Sequence, residues 1–181
     1  MKRNLALLGI LTLVCTLPVQ ASVQKGDVEV DLNMSYSDRS SANGNPDKEM
    51  FAAEIGLDRF ITHTIQVGAF IDAAWADQGS TLEAEDLGIG VRARLHFKPS
   101  KPNVPYIGVQ AMHRNYKQTV GALPESEDKG LVWGILAGMR FDLNEKNDLY
   151  IEFEHRFYGG DWGDTWDNAN RLMFGIRHLL N

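Results

Sequence analysis

Histidine, cysteine and the opposed charges of arginine, aspartate and glutamate are the groups in this chain whose chemistry could reach beyond packing. Its five histidines, His63, His96, His113, His155 and His178, would act as metal ligands or general bases only where spacing brings them together. None forms the i, i+2 or i, i+4 pair that converges on one ion from a strand or a helix. The single cysteine, Cys15, lies in an apolar run near the start. Beyond that run the chain offers no disulfide, no thiolate nucleophile and no cysteine-ligated metal. The residues thus predict no catalytic set, no metal site and no cofactor.

The charged residues are patterned. Glu29, Asp31, Glu54, Asp58, Asp72, Asp142, Glu152 and Glu154 share one parity with Arg92, Arg94, Arg114, Arg140, Arg156, Arg171 and Arg177. The positions between them are apolar. The two signs nearly balance, and the cations are arginine rather than lysine. A planar guanidinium meets a carboxylate in two parallel bonds, which suits burial, whereas an unpaired buried charge is costly. Together these residues predict an interior salt-bridge network with a structural role.

Only strands can hold such sets on opposite faces. Val28, Val30, Leu32, Met34 and Tyr36 alternate with Glu29, Asp31, Asn33 and Ser35; Leu87, Ile89, Val91, Ala93, Leu95 and Phe97 alternate with Gly88, Gly90, Arg92, Arg94 and His96. A period of two separates faces on a strand and scrambles them on a helix. Eight such segments recur, within 28–36, 51–58, 65–75, 87–98, 106–114, 131–142, 149–157 and 171–180. Each approaches the 9–11 residues, roughly, that a tilted strand needs to cross a bilayer. Connections near His63-Thr64, Pro99–Asn103 and Asn144–Asn147 are short. Those through Asp38–Glu49, Asp77–Asp86, Gln118–Lys129 and Gly159–Ala169 are long and polar. Short turns at one end and long loops at the other mark an all-β, eight-stranded, antiparallel, up-and-down transmembrane β-barrel.

A soluble carrier barrel would point the apolar face inward instead. Against that stand the balanced arginine-rich face and the glycines at 56, 68, 88, 90, 108, 134, 138 and 175. They share the charged face and make room for arginines in a narrow lumen. Aromatic residues near strand ends fit two interfacial girdles. Tyr36, Phe51, Trp75, Trp133 and Phe157 lie beside the long loops; Phe60, Phe97, Tyr106, Phe141 and Tyr150 lie beside the short turns.

The first residues are basic, Leu5–Leu17 is apolar, and Pro18-Val19-Gln20-Ala21 ends in small residues. This reads as a signal peptide, 1–21, cleaved to leave a barrel domain at 22–181. The apolar run is shorter than the ~20 residues of a membrane-spanning helix. With a net charge of -6, nucleic acid is not an expected partner.

The stretches Pro105-Tyr106-Ile107-Gly108-Val109, Gly138-Met139-Arg140-Phe141 and Leu149-Tyr150-Ile151-Glu152-Phe153-Glu154-His155-Arg156 resemble recurrent phrases of the small OmpA-like and OmpX-like outer-membrane barrels. The resemblance covers the chain after residue 21 and implies an outer-membrane location, with assembly by the barrel-assembly machinery. One departure is the end, Leu179-Leu180-Asn181, where that group usually has an aromatic residue. Outer-membrane lipid A deacylases place a His-x-Ser pair on a late strand; here Phe157 follows His155-Arg156, so the nucleophile is missing.

The long loops are acidic, with Asp77, Glu83, Glu85, Asp86, Glu125, Glu127, Asp128, Asp161, Asp164 and Asp167 against Arg39, Lys48 and Lys129. Divalent cations could bridge such carboxylates to lipopolysaccharide. Trp162 and Trp166 offer a surface contact. The expected function is a non-enzymatic outer-membrane barrel serving envelope integrity or surface interaction. A carrier or lateral conduit for small hydrophobic molecules is the alternative, and a lipid A-modifying enzyme the second.

Overall fold

The computed structural model describes residues 24–41, 48–77, 83–119, 126–159 and 166–180. Its strands are β1 (Val28–Ser41), β2 (Lys48–Phe60), β3 (Ile65–Asp77), β4 (Glu83–His96), β5 (Asn103–Thr119), β6 (Ser126–Asp142), β7 (Asn147–Tyr158) and β8 (Trp166–Leu179). Each pairs antiparallel with its sequence neighbours, and β8 returns to β1, so the sheet closes into a barrel without a free edge. Closure satisfies every edge N–H and C=O within the sheet, the condition for a sheet to sit in hydrocarbon.

Register carries the alternation around the ring. Leu32 lies opposite Ile55 on β2 and Ile176 on β8, while Asp31 lies opposite Gly56 and Arg177. Apolar residues therefore meet apolar residues on one surface and charges meet charges on the other. That apolar surface is the outside: Met34 is 67% exposed and Ile89 63%, whereas Asp31 and Arg114 are fully buried.

Local chemistry sets the short turns. Thr62 Oγ1 accepts from the backbone N–H of Ile65 at 2.9 Å in the β2–β3 turn. Asn144 Oδ1 accepts from the N–H groups of Lys146 and Asn147 at 3.0 and 2.9 Å in the β6–β7 turn, the Asx arrangement that makes asparagine a turn residue. Lys98 takes a φ of 56° at the β4–β5 turn.

Two sequence expectations need correction. The long connections are shorter than expected, because the strands continue well past the apolar belt. Asp38 still pairs with Glu49, Glu85 with Lys117, and Lys117 with Glu127. Backbone pairing does not need apolar side chains, so loss of alternation does not end a ladder. The girdle beside the short turns is also reduced. Phe60, Tyr106 and Tyr150 are buried inside the barrel, leaving Phe97 and Phe141 on the wall. At the other end Tyr36, Phe51, Trp75 and Trp133 face outward, with Tyr36 edge-on to Phe51 and Trp133 stacked on Phe157.

Gly90 shows how tightly the lumen is filled. A Cβ there would lie 2.6 Å from Phe70 Cζ and 2.7 Å from both the Ala111 carbonyl oxygen and Met112 Cβ. Gly90→Val should therefore cost about 1–3 kcal/mol by overpacking, read as a lower urea midpoint for the refolded barrel. An unchanged midpoint would mean that Phe70 can move aside.

Candidate functional site

The inward side chains form three charged tiers along the barrel axis. At the short-turn end, Arg140 bridges Glu29 at 2.9 Å and Asp148 at 2.5 Å, with Asp142 3.7 Å from its Nε. Gln66 donates to Glu29 at 2.7 Å, and its Oε1 lies 3.1 Å from His96 Nε2. The rings of Phe60 and Tyr106 flank His96, each with its centroid 5.1 Å away.

In the middle tier, Asp31 draws in Arg92 at 2.9 Å and both Arg94 and Arg177 at 3.4 Å, and accepts the Tyr150 hydroxyl. Arg92 also reaches Glu54 and, at 2.7 Å, Asp58. Arg94 Nε donates to Glu152 at 2.8 Å. The Arg177 guanidinium lies over the rings of Tyr106 and Tyr150, 5.0 and 4.1 Å from their centroids, a cation–π arrangement strengthened by desolvation. Glycine makes those tyrosines possible. A Cβ at Gly138 would meet the Tyr106 hydroxyl at 2.5 Å, and one at Gly175 the Tyr150 ring at 2.5 Å. Gly56, Gly88 and Gly108 instead face Arg92, Arg114 and Arg94.

In the tier nearest the long loops, Asp72 accepts from Arg114 at 2.6 Å and from Arg171, with Arg156 3.7 Å away. Arg114 Nε reaches Asp86 at 2.7 Å. Arg171 Nε donates to Ser35 Oγ at 2.5 Å. Glu154 takes Arg156 at 2.5 Å and the side chain of Gln110. Alongside this tier Phe70, Met112, Tyr116, Val132 and Tyr158 form a buried apolar cluster with Ala52, Ala74 and Ala169.

All fifteen inward charges named from the sequence lie within these tiers, but the near balance of sign needs correction. Asp86, read as a loop acid, faces the lumen, and so does Asp148, which falls between the expected turn and the expected strand. The described interior thus holds ten carboxylates against seven arginines. Each addition lies one alternation beyond the segment as drawn: Asp86 shares the parity of Gly88, and Asp148 that of Tyr150. Extending the period of two by one step at those ends would have found both. Tyr106 and Tyr150 likewise share the charged parity, so proximity to a strand end was the weaker signal.

The histidines do not converge. His96 is buried among interior aromatics and arginines, whereas His113 is exposed on the outer wall. His155 Nδ1 lies 2.8 Å from Asn170 Oδ1, and His178 Nδ1 2.8 Å from Asn147 Oδ1. Among the described residues no group of three His, Cys, Asp or Glu has the geometry to hold a metal ion. Trp166 opens β8 with its backbone opposite Ser41. Trp162, Glu125, Asp161 and Asp164, and residues 1–21, fall outside the described residues. Glu85 and Glu127 are exposed on strands, with Glu127 2.9 Å from Lys129 Nζ. Chemically, the site pairs every inward arginine with carboxylates and keeps an excess of acidic groups along the lumen.

The sequence matches the family described as outer membrane protein β-barrel domain over residues 7–177. No curated protein matches it. Among solved structures, Neisserial surface protein A aligns with a TM-score of 0.70 at 16% identity, covering 83% of this chain and 96% of that one. Ail, the attachment invasion locus protein of Yersinia pestis, aligns with a TM-score of 0.64 at 12% identity, covering 87% and 100%. OprG of Pseudomonas aeruginosa aligns with a TM-score of 0.56 at 8% identity, covering 88% and 96%. At these identities the likeness is one of fold.

Proposed function

The chain belongs to the outer membrane protein β-barrel domain family, and from that premise we propose that it is a sealed, non-enzymatic barrel whose extracellular loops serve envelope integrity or surface interaction. The observation that carries this reading is the ion-paired lumen. Each of the seven inward arginines has a carboxylate oxygen within 3.4 Å. An eight-stranded barrel has an interior just wide enough for side chains. Packed with tiers of paired charge, it leaves ions no continuous path.

The short turns lie on the periplasmic side and the long connections outside, as in this class of barrel. The family places the protein in the outer membrane. Residues 1–21 are its export signal, cleaved after Ala21, and the barrel-assembly machinery inserts the remainder. Outer-membrane lipid and lipopolysaccharide surround the wall. Divalent cations bridge the acidic outer rim, with Glu85 and Glu127 among its carboxylates, to anionic headgroups. Ail has also been solved with the heparin analogue sucrose octasulfate. An acidic rim opposes such a sulfated glycan unless a cation intervenes, so a neutral or cationic surface partner fits better here.

Purified protein should shift in gel mobility on boiling and, in planar bilayers, give no stepwise conductance. A strain lacking it should show altered envelope permeability or surface binding. Discrete channels, or an envelope unchanged in both respects, would overturn the reading. If the carrier alternative held instead, vesicles containing the barrel would take up a small hydrophobic probe faster than empty ones.

A further inference from the structure

The outer wall is not evenly clad. Across β3 to β7 lies a depression of about 660 Å³, within the size range of small-molecule sites. Two rows of outward residues shape it. Ile65, Leu95, Ile107, Ala137 and Phe153 stand side by side in one. Ala93, Val109, Ile135 and His155 form the next, and Asn170 continues it onto β8. The depression exists because Ala93 and Ala137 are too short to fill the wall between longer neighbours. Crossing five strands, it runs for about 19 Å, four inter-strand spacings, long enough for a fatty-acyl chain.

Its upper end is polar. His155 is eight residues past Asn147, the start of β7, which puts it about 20 Å above the short-turn end on a strand tilted near 40°. That level belongs to the outer leaflet, just below the stacked Trp133 and Phe157, and Phe157 also meets His155 edge-on at 4.6 Å. Polar side chains facing hydrocarbon are costly, and their presence marks a functional site by default. The 2.8 Å contact between His155 Nδ1 and Asn170 Oδ1 satisfies only part of each group. With Asn170 Oδ1 accepting, His155 donates from Nδ1, so the neutral ring keeps Nε2 as an acceptor. Among the described residues the Asn170 amide hydrogens have no other partner, which leaves them as donors. One acceptor beside one donor matches an amide or a hydroxyl. It does not match an ester, which has no hydrogen to give.

We propose that this groove holds one fatty-acyl chain of an outer-leaflet glycolipid, whose amide or hydroxyl near the head of the chain is gripped by His155 and Asn170. The proposal rests on the reading of the chain as a membrane-inserted barrel and adds a particular lipid site to it. Retention decides it: the barrel is held in nanodiscs of phosphatidylcholine doped with lipid A carrying amide-linked hydroxyacyl chains, then released for native mass spectrometry. Wild type should keep one lipid A in preference to phosphatidylcholine, and the His155 ring nitrogens should shift in 15N NMR when lipid A is added. His155→Phe removes the grip and Ala137→Leu fills the floor. His155→Phe should cut retention about tenfold, the worth of one or two hydrogen bonds in hydrocarbon, and Ala137→Leu should cut it by a similar factor by occupying the floor the chain would lie on. Both variants stay apolar on the lipid face, so both should keep the heat-dependent gel shift. Equal retention of phosphatidylcholine, retention unchanged in Ala137→Leu, or a bound second copy in place of lipid would overturn the site. Loss of the gel shift in the wild type would instead overturn the barrel reading beneath it.

Discussion

Replacing Asp72 with alanine is expected to lower the unfolding free energy of the barrel by about 3–5 kcal/mol, the usual cost of stranding buried partner charges. Asp72 is fully buried and is where three arginines converge. Arg114 donates to it at 2.6 Å, Arg171 grips its other oxygen, and Arg156 lies 3.7 Å from that same oxygen. Removing it leaves three guanidinium groups without the carboxylate that lies between them. Arg114 retains Asp86 at 2.7 Å and Arg156 retains Glu154 at 2.5 Å. Arg171 keeps only the longer contacts of 3.8 Å to Glu54 and Glu154 and its bond to Ser35. Urea unfolding of the refolded barrel in vesicles, followed by gel shift and tryptophan fluorescence, reads the loss. A change below about 1 kcal/mol, the range of exposed ion pairs, would show that water reaches this tier and that the lumen is not sealed.

Placing an arginine one residue away from an existing one should be nearly as damaging, for the opposite reason. Arg92 points inward and is paired with Asp31 and Asp58 at 2.9 and 2.7 Å. Its neighbour Val91 points outward, is 61% exposed, and stands between Ala69 and Ala111 on the flanking strands. Val91→Arg puts a guanidinium on the lipid face near mid-strand, which costs about 2–4 kcal/mol at the centre of a bilayer. The matching test is the unfolding free energy in vesicles alongside recovery in the outer-membrane fraction. If the variant were as stable as the wild type, that face would be in water rather than lipid, and the membrane-inserted reading would fail.

Much of this architecture is local in origin. A strand sends alternate side chains to opposite faces whatever it pairs with, so the parity of Asp31 against Leu32, or of Arg92 against Val91, is already present in the order of residues. So are the short turns, since Asn144 and Thr62 build theirs from groups two or three residues away. The choice of lipid outside and charge inside was also legible, because it follows from what each face can solvate. Partnership within the lumen was not legible. Arg177 meets Asp31 across 146 residues of sequence and Arg171 meets Ser35 across 136, contacts that exist only once β8 closes on β1 in one register. Closure also decides depth, which sets Tyr106 and Tyr150 at the level of Arg177, where they clamp it. The shallow groove below His155 has the same origin: Ala93 and Ala137 lie far apart along the chain and become one floor only when five strands are aligned. Periodicity belongs to the sequence because it is set by neighbouring residues. Which charges pair, and where the wall is thin, belongs to the closed sheet, because register and curvature are properties of all eight strands together.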